Sequence, residues 1–301
     1  MRNQVIVITG PTASGKTEVA SNLARYFRTG VISADSRQCY RELTIGTAKP
    51  SAALLAEIPH YFINSHQISD QVNAGVFAHF AQKSILDIFR ESPVALLCGG
   101  TGLYIRAFCE GLDDMPEIPV AIRNRLREQY QSEGLSWLQQ EVQRLDPIFY
   151  GNTDIRNPHR LLRALEVVET TGISVTRYRK AMRADKEFDL LKIGLMLPGD
   201  LLKGRINQRV DQMAESGLRQ EVENLLAFRL HHALQTVGYQ EMFAFLEGSL
   251  SWAKTLELIK IHTWQYARRQ YTWLKKDNQI KWVDARHEDH IWQLVRGFTG
   301  R

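Results

Sequence analysis

The chain has 301 residues, 44% of them apolar, and its 38 Lys and Arg against 33 Asp and Glu give a net charge of +5. The apolar content supports a packed core, and the mildly basic balance permits polyanion binding without demanding it. Three cysteines without C-x-x-C spacing argue against a disulfide framework and a zinc site. No apolar run approaches the roughly 20 residues that span a bilayer. We therefore expect a reducing, cytoplasmic setting.

The first predicted elements surround a phosphate-loop motif. Residues 10–17 match G-x-x-x-x-G-K-[ST] and follow the apolar run Val5 to Ile8, which predicts a short strand. Glu18 to Phe27 has the apolar spacing of a helix. Between a strand and a helix N-terminus, the loop N–H groups and Lys16 can hold phosphate oxygens, and Thr17 can ligate Mg²⁺. ATP-binding proteins share this motif, so it does not specify which phosphates are bound.

A second short strand is predicted within Gly30 to Ser36, and it ends at a carboxylate, Asp35. Ligands of open α/β sheets sit outside the carboxyl ends of the strands. Asp35 should therefore lie on the same rim as the phosphate loop. Arg37 to Pro50 reads as a loop, and Ala74 to Arg90 has the apolar stripe of a helix.

The third predicted strand, Val94 to Leu97, ends in glycines and a hydroxyl, Thr101. Phosphate-loop NTPases usually place an Asp or Glu at such a strand end to hold Mg²⁺, and this strand offers none. A motor ATPase is therefore disfavoured. The glycines at 99, 100 and 102 predict a surface where a ligand approaches backbone; the alternative is a glycine turn used for packing alone.

A helical insertion is predicted between two halves of one sheet. The period is helical from Val120 to about Thr176, and Leu190 to Leu197 reads as a further core strand. The predicted fold is α/β, a P-loop NTPase-like parallel sheet flanked by helices, with an inserted all-helical lobe. The predicted boundaries are 1–118 for the first half of the core, 119–188 for the insertion and 189–301 for the second half.

Within the insertion, Asn157 and Pro158 predict a helix start. His159, Arg160 and Arg163 then form a basic stripe on one face of that helix. Such a stripe is typical of a phosphate-backbone contact, and a solvated basic face is the equally favoured alternative.

The C-terminal half is predicted to hold two long helices. Leu201 to Leu230 places Arg205 and Arg209 one turn apart, where both could reach phosphates at the sheet rim. Ser251 to Lys276 interleaves aromatic and basic residues, a pattern that suits RNA stacking. Alternatively, the aromatic residues of that helix pack in the core and its basic residues face solvent.

Seven segments, in shared order over nearly the whole chain, carry a family resemblance: Gly10–Thr17, Ile32–Gln38, Ile45–Pro50, Gly99–Tyr104, Arg160–Glu166, Val237–Tyr239 and Arg269–Trp273. With them the chain resembles the bacterial tRNA dimethylallyltransferases, also called tRNA isopentenyltransferases.

The resemblance implies transfer of a dimethylallyl group from dimethylallyl diphosphate to N6 of the adenosine 3′ to the anticodon in tRNA, with release of pyrophosphate. The phosphate loop would then hold a leaving diphosphate, usually with Mg²⁺. The insertion would grip the anticodon stem-loop, and we expect a monomer without membrane association.

The resemblance also implies the site residues. Asp35 would be the base that accepts the adenine amine proton, and Thr101 would contact the bridging oxygen of the diphosphate. The diphosphate-binding residues would be Gly10, Pro11, Thr12, Ala13, Ser14, Gly15, Lys16, Thr17 and Arg209. The tRNA-binding residues would be Asp35, Ser36, Arg37, Gln38, Thr101, Arg123, His159, Arg160, Leu161, Leu162, Arg163 and Arg269.

The chain departs from the family pattern at Trp264, Arg268 and Thr44, and its segment between Leu226 and Val237 looks short. These departures concern tRNA contacts rather than chemistry. Three alternative functions stay open at this point. They are prenylation of a free adenine nucleotide, phosphorylation of a small metabolite, and RNA binding without catalysis.

Overall fold

A computed structural model of the chain describes residues 2–178 and 186–301. The chain divides into two compact units. The core unit is Met1–Cys109 with Asp185–Arg301, and the helical unit is Glu110–Ala184. The insertion predicted over 119–188 shares most of its residues with the helical unit, and its residues 179–185 lie outside the described residues.

The core unit contains a parallel sheet. Over the described residues the strands are β1 (Asn3–Thr9), β2 (Val31–Ser33), β3 (His60–Tyr61), β4 (Val94–Gly99), β5 (Phe188–Met196) and β6 (Ile280–Asp284). These six strands lie in the order β3-β2-β4-β1-β5-β6, and each neighbouring pair runs parallel. β1, which leads into the phosphate loop, therefore lies between β4 and β5 near the middle of the sheet.

Side chains of β1 explain why both faces of the sheet are covered. Val5 and Val7 point to one hydrophobic cluster, whereas Ile6 and Ile8 point to another, as the two-residue period of a strand requires. All four are at most 1% exposed. An uninterrupted apolar run is typical of a parallel strand with helices on both faces, and that predicted architecture is confirmed.

The helices are, in chain order, α1 (Lys16–Phe27), α2 (Ala52–Glu57), α3 (Ala74–Phe89), α4 (Gly102–Glu110), α5 (Val120–Leu145), α6 (Pro147–Tyr150), α7 (Pro158–Thr171), α8 (Val175–Tyr178), α9 (Gly199–Glu215), α10 (Leu218–Asn224), α11 (Tyr239–Leu246), α12 (Trp252–Leu274) and α13 (Glu288–Thr299). The prediction of a single helix over Leu201 to Leu230 is wrong, because α9 and α10 are separate helices. Gly217, at φ +99°, separates α9 from α10, because only glycine adopts that conformation without strain.

The helical unit is built around α5 and α7. α7 begins as predicted, with the Asn157 side chain accepting from the Arg160 N–H at 3.2 Å and Pro158 in the first turn. α5 bends at Gly134, which has φ +78° and ψ −169°. Along the described chain, no helix has both the length and the apolar character needed to cross a membrane.

Candidate active site

The phosphate loop lies at the carboxyl end of β1 and depends on two glycines. Gly10 has φ +144°, and a Cβ there would lie 2.5 Å from the Leu195 carbonyl oxygen. Gly15 has φ +94° and leads directly into α1. Ala13 also has a positive φ, 62°. Three residues of the loop therefore have positive φ angles. The loop and the α1 N-terminus both face one open cavity.

The residues that line that cavity, which we call the anion cavity, include Lys16, Thr17, Asp35 and Arg209. Lys16 Nζ donates to the Pro11 carbonyl at 2.6 Å. Burial lowers the pKa of Lys16 to about 8, with the Arg209 charge adding to the decrease and Asp35 opposing it. Burial also lowers the pKa of Arg209. Two cations whose charge is poorly solvated favour a bound anion.

Asp35 follows β2 and lies on the predicted rim. Its Oδ1 accepts from the N–H groups of Arg37 at 2.8 Å and Gln38 at 3.2 Å, which closes a turn. Thr101 Oγ1 accepts from the Ser36 N–H at 3.1 Å, and the Thr101 N–H donates to the Ala34 carbonyl at 3.1 Å. The predicted pair Asp35 and Thr101 is thus joined through the turn that contains Ser36.

A second cavity, which we call the acceptor cavity, is also lined by Asp35. The two cavities share four lining residues: Thr12, Asp35, Arg209 and Tyr266. The acceptor cavity adds apolar side chains from α9, α10 and α12. Burial raises the pKa of Tyr266 to about 12, with Asp35 adding to the increase, so its hydroxyl stays neutral at physiological pH. Asp35 therefore lines both a cationic cavity and a partly apolar one.

Gly99, which ends β4, and Gly100 and Gly102, which follow it, are closely packed against other parts of the chain. A Cβ at Gly99 would lie 2.2 Å from the Ala34 carbonyl oxygen, one at Gly100 would lie 2.3 Å from Gln270 Nε2, and one at Gly102 would lie 2.0 Å from the Trp273 ring. Protein atoms occupy the space at all three positions. Gly99 and Gly100 do line the anion cavity, but close packing of the neighbouring chain is what requires glycine here.

Gln270 is a site residue whose role the sequence did not predict. Its Oε1 accepts from the Thr12 N–H at 2.8 Å, and its Nε2 donates to the Gly100 carbonyl at 3.0 Å. The segment Arg269–Trp273 carries family resemblance, but nothing local indicates which backbone groups Gln270 meets.

Glu221, on α10, was also missed. Its carboxylate accepts from the N–H groups of Thr44 at 2.9 Å, Ile45 at 2.7 Å and Gly46 at 2.9 Å, and from the Tyr239 hydroxyl at 2.8 Å. The loop held in this way ends near the site, because the Thr47 carbonyl accepts from both Gln38 Nε2 and Arg209. Glu221 therefore stabilises a loop that contacts two predicted site residues.

We expect Glu221→Ala to lower the free energy of unfolding by about 2–4 kcal/mol, because three N–H groups and a phenol lose a charged acceptor. Glu223→Ala is the matched control. Glu223 lies on the same helix and makes an exposed pair with Arg219 at 2.7 Å, so its loss should cost about 0.5 kcal/mol or less. Urea denaturation at equal m values measures both changes. Equal losses in the two variants would contradict the stabilising role of Glu221.

In the helical unit, the predicted tRNA-binding residues fall into three groups. His159 and Arg160 are exposed. Arg123 and Arg163 both pair with Glu166, at 3.7 and 3.2 Å, and that carboxylate is only 7% exposed. The predicted residues Leu161 and Leu162 pack in the hydrophobic core of this unit and are only 0% and 9% exposed. Neither therefore offers an exposed side chain for contact with RNA. Arg269, in the core unit, is exposed.

The side chains available for a divalent cation are few. Among the described residues, no group of three or more His, Cys, Asp or Glu is placed to hold a metal. Thr17 and Asp35 do line the same cavity. The Thr17 hydroxyl suits Mg²⁺, which takes most of its ligands from substrate phosphates and water.

Comparison with known proteins identifies the family. A family model described as IPP transferase matches residues 38–277. tRNA dimethylallyltransferase 1 of Bacteroides thetaiotaomicron is 39% identical over 292 residues, covering 97% of this chain and 95% of that protein. The tRNA dimethylallyltransferase of Christiangramia forsetii is 41% identical over 284 residues, covering 94% of each chain. The chain belongs to the IPP transferase family.

Solved structures related to this IPP transferase family member agree with the assignment. The full-length tRNA isopentenylpyrophosphate transferase of Bacillus halodurans is 31% identical, with a TM-score of 0.72 over 98% of this chain and 96% of that one. A eukaryotic dimethylallyltransferase acting on tRNA is 25% identical, with a TM-score of 0.79 over 94% of this chain and 74% of that one. The family resemblance, the P-loop NTPase-like fold class and the assignment as a prenyltransferase enzyme are confirmed.

Proposed function

We propose that this chain transfers the dimethylallyl group of dimethylallyl diphosphate to N6 of the adenosine 3′ to the anticodon in tRNA. The observation that carries the proposal is that Asp35 lines both the anion cavity and the acceptor cavity. The curated relatives are named for tRNA rather than for a free nucleotide, which favours tRNA as the acceptor. A tRNA acceptor places the reaction in the cytoplasm, and the chain is proposed to act as a monomer.

In the proposed reaction the anion cavity holds the diphosphate. Loop N–H groups, Lys16 and Arg209 donate to its oxygens and stabilise the charge that grows as the C–O bond breaks. Thr17 would hold Mg²⁺ at the diphosphate, where the ion would neutralise part of the leaving-group charge. Thr101 Oγ1 already accepts from Ser36, so its own hydrogen is available for the bridging oxygen.

Asp35 acts on the nucleophile. Both hydrogen bonds that its carboxylate accepts within the turn go to Oδ1, which leaves Oδ2 for the amine. The N6 nitrogen attacks the first carbon of the dimethylallyl group as the bond to the diphosphate oxygen breaks. The amine proton passes to Asp35, and pyrophosphate leaves with the electron pair of the broken bond. A positioned base of this kind contributes on the order of 10²–10⁴-fold.

The target adenosine is stacked in an RNA loop, so it must leave the stack to reach Asp35, at a cost of a few kcal/mol that contacts to the RNA offset. The helical unit is proposed to supply part of those contacts through the exposed His159 and Arg160.

Arg160 provides the clean test of a phosphate contact. We expect Arg160→Ala to raise the KM for tRNA and to reduce the slope of log K against log salt by about 1, because one phosphate contact is lost. Arg163→Ala is less suitable, because it also removes a partner of the buried Glu166 carboxylate. Arg144→Ala, which removes an exposed charge paired with Glu141 in the same unit, is the control. If both variants change the slope equally, the basic stripe is only a solvated face.

The test of the proposed function is incubation of the chain and Mg²⁺ with labelled dimethylallyl diphosphate and, separately, tRNA, AMP or buffer. Label in tRNA, at an adenosine beside the anticodon, is the expected result. Label in AMP but not in tRNA would move the assignment to a free-nucleotide prenyltransferase. ATP hydrolysis without prenyl transfer to any acceptor would overturn the proposal.

A further inference from the structure

Gln270 joins two segments that take different parts in the proposed reaction. Its carboxamide spans from Thr12 in the phosphate loop to Gly100 in the turn after β4, at 2.8 and 3.0 Å. The side chain is 9% exposed, and the segments that it connects lie 258 and 170 residues away in the chain. A buried carboxamide that uses both its acceptor and a donor is held in one orientation.

The contacts continue from Gly100 to Asp35. Thr101 follows Gly100 directly, and its Oγ1 accepts from Ser36, the residue after Asp35. The Thr101 N–H donates to Ala34, the residue before Asp35. Hydrogen bonds thus connect the phosphate loop to Gly100 through Gln270. The next residue, Thr101, is hydrogen-bonded to the residues on both sides of Asp35.

The glycine positions support the same view. The space at Gly100 is filled by Gln270 and that at Gly102 by Trp273, so one face of α12 is fitted against the turn. The positions of the phosphate loop and of the turn at Asp35 are therefore both set by α12. The last turns of this helix are far from both segments in the sequence.

We infer that Gln270 is a positioning residue that sets the distance between the diphosphate held by the phosphate loop and the amine held by Asp35. This inference rests on the proposed function. Gln270 lines the anion cavity, but its carboxamide is already engaged with the Thr12 N–H and the Gly100 carbonyl. It acts through the Thr12 N–H and through Thr101, and a displacement of about 1 Å between reacting groups lowers the rate on the order of 10²-fold.

Two variants test the inference. Gln270→Ala removes both hydrogen bonds, whereas Gln270→Glu keeps the acceptor for Thr12 but, when ionised, has no donor for Gly100. Both should lower kcat for prenyl transfer by about 10–100-fold. The KM for tRNA should change less than threefold, because the RNA contacts are untouched. Gln265→Ala and Gln265→Glu, at an exposed position on the same helix, should leave both constants within twofold.

Amide hydrogen exchange separates positioning from folding and from the assigned reaction. In Gln270→Ala we expect faster exchange of the Thr12 N–H, which bonds Gln270 directly. We also expect faster exchange of the Ser36 N–H, which is connected to Gln270 through Gly100 and Thr101. Exchange in α13 should be unchanged. Unchanged exchange at Ser36, or a kcat within twofold of the parent chain, would overturn the inference. If the parent chain transfers no prenyl group, the proposed function fails. Faster exchange at both Thr12 and Ser36 in Gln270→Ala would still establish that Gln270 couples the two segments.

Discussion

Asp35→Asn should lower the rate of prenyl transfer on the order of 10²–10⁴-fold while tRNA binding stays within threefold of the parent chain. The amide oxygen of Asn can still accept from the Arg37 and Gln38 N–H groups, so the turn is preserved. Only the basic oxygen is lost. Single-turnover transfer of labelled dimethylallyl diphosphate to saturating tRNA measures the rate, and filter binding measures the affinity for tRNA.

Asp70→Asn is the control for this experiment. Asp70 also accepts a backbone N–H, that of Gln67 at 2.8 Å, in an exposed turn. It lines neither cavity. Its amide variant should transfer the prenyl group at the parent rate. Turnover by Asp35→Asn within tenfold of the parent would show that another group accepts the amine proton.

Lys16→Met should weaken binding of inorganic pyrophosphate on the order of 10²-fold at pH 7, because a desolvated cation facing the diphosphate is removed. The pH dependence of binding gives a second signature. Burial lowers the pKa of Lys16 to about 8, so the free protein loses this charge as pH rises through 8. A bound anion favours the charged form, so binding takes up a proton above that pH. Affinity in the parent chain should therefore fall by up to about tenfold per pH unit above 8.

Calorimetric titration with pyrophosphate from pH 7 to 9.5 tests this signature. Ionisation of the pyrophosphate itself affects parent and variant alike, so the informative quantity is the difference between them. Lys49→Met is the matched control, because burial also lowers the pKa of Lys49 to about 8 but its ammonium group bonds Asn64 at 2.6 Å instead of lining the anion cavity. The dependence above pH 8 should vanish in Lys16→Met and persist in Lys49→Met. The opposite pattern would assign the titration to Lys49.

Local sequence patterns predicted the parts of the site that follow from strand geometry. Asp35 and Lys16 lie on one rim because the carboxyl ends of parallel strands meet at the same edge of a sheet. The start of α7 was likewise predictable, since a capping Asn followed by Pro is a local signal. These features depend on residues within a few positions of one another.

The features that escaped prediction depend on distant contacts. Gln270 and Glu221 matter through backbone groups that lie at least 170 residues away, and their own neighbours in sequence give no sign of these contacts. β3 was missed because it has only two residues, and β6 was missed because only two of its five residues are fully buried, so both have weak apolar signatures. Gly100 and Gly102 were assigned to ligand approach because the side chains that fill the space beside them come from α12, which is distant in the sequence.

The position of β1 in the sheet has a consequence for synthesis of the chain. β1 pairs on one side with β4 and on the other with β5, and about 90 residues separate the end of β4 at Gly99 from the start of β5 at Phe188. At about 5–20 residues per second, the ribosome needs about 4–18 s to make that interval. During this time the nascent chain presents Val5 to Ile8 as an unpaired, apolar edge strand, the kind of surface that chaperones cover and that aggregation exploits. The strand that presents the phosphate loop thus gains its second neighbour later than β2 and β4 do, and among the interior strands only β5, which waits for β6, is later.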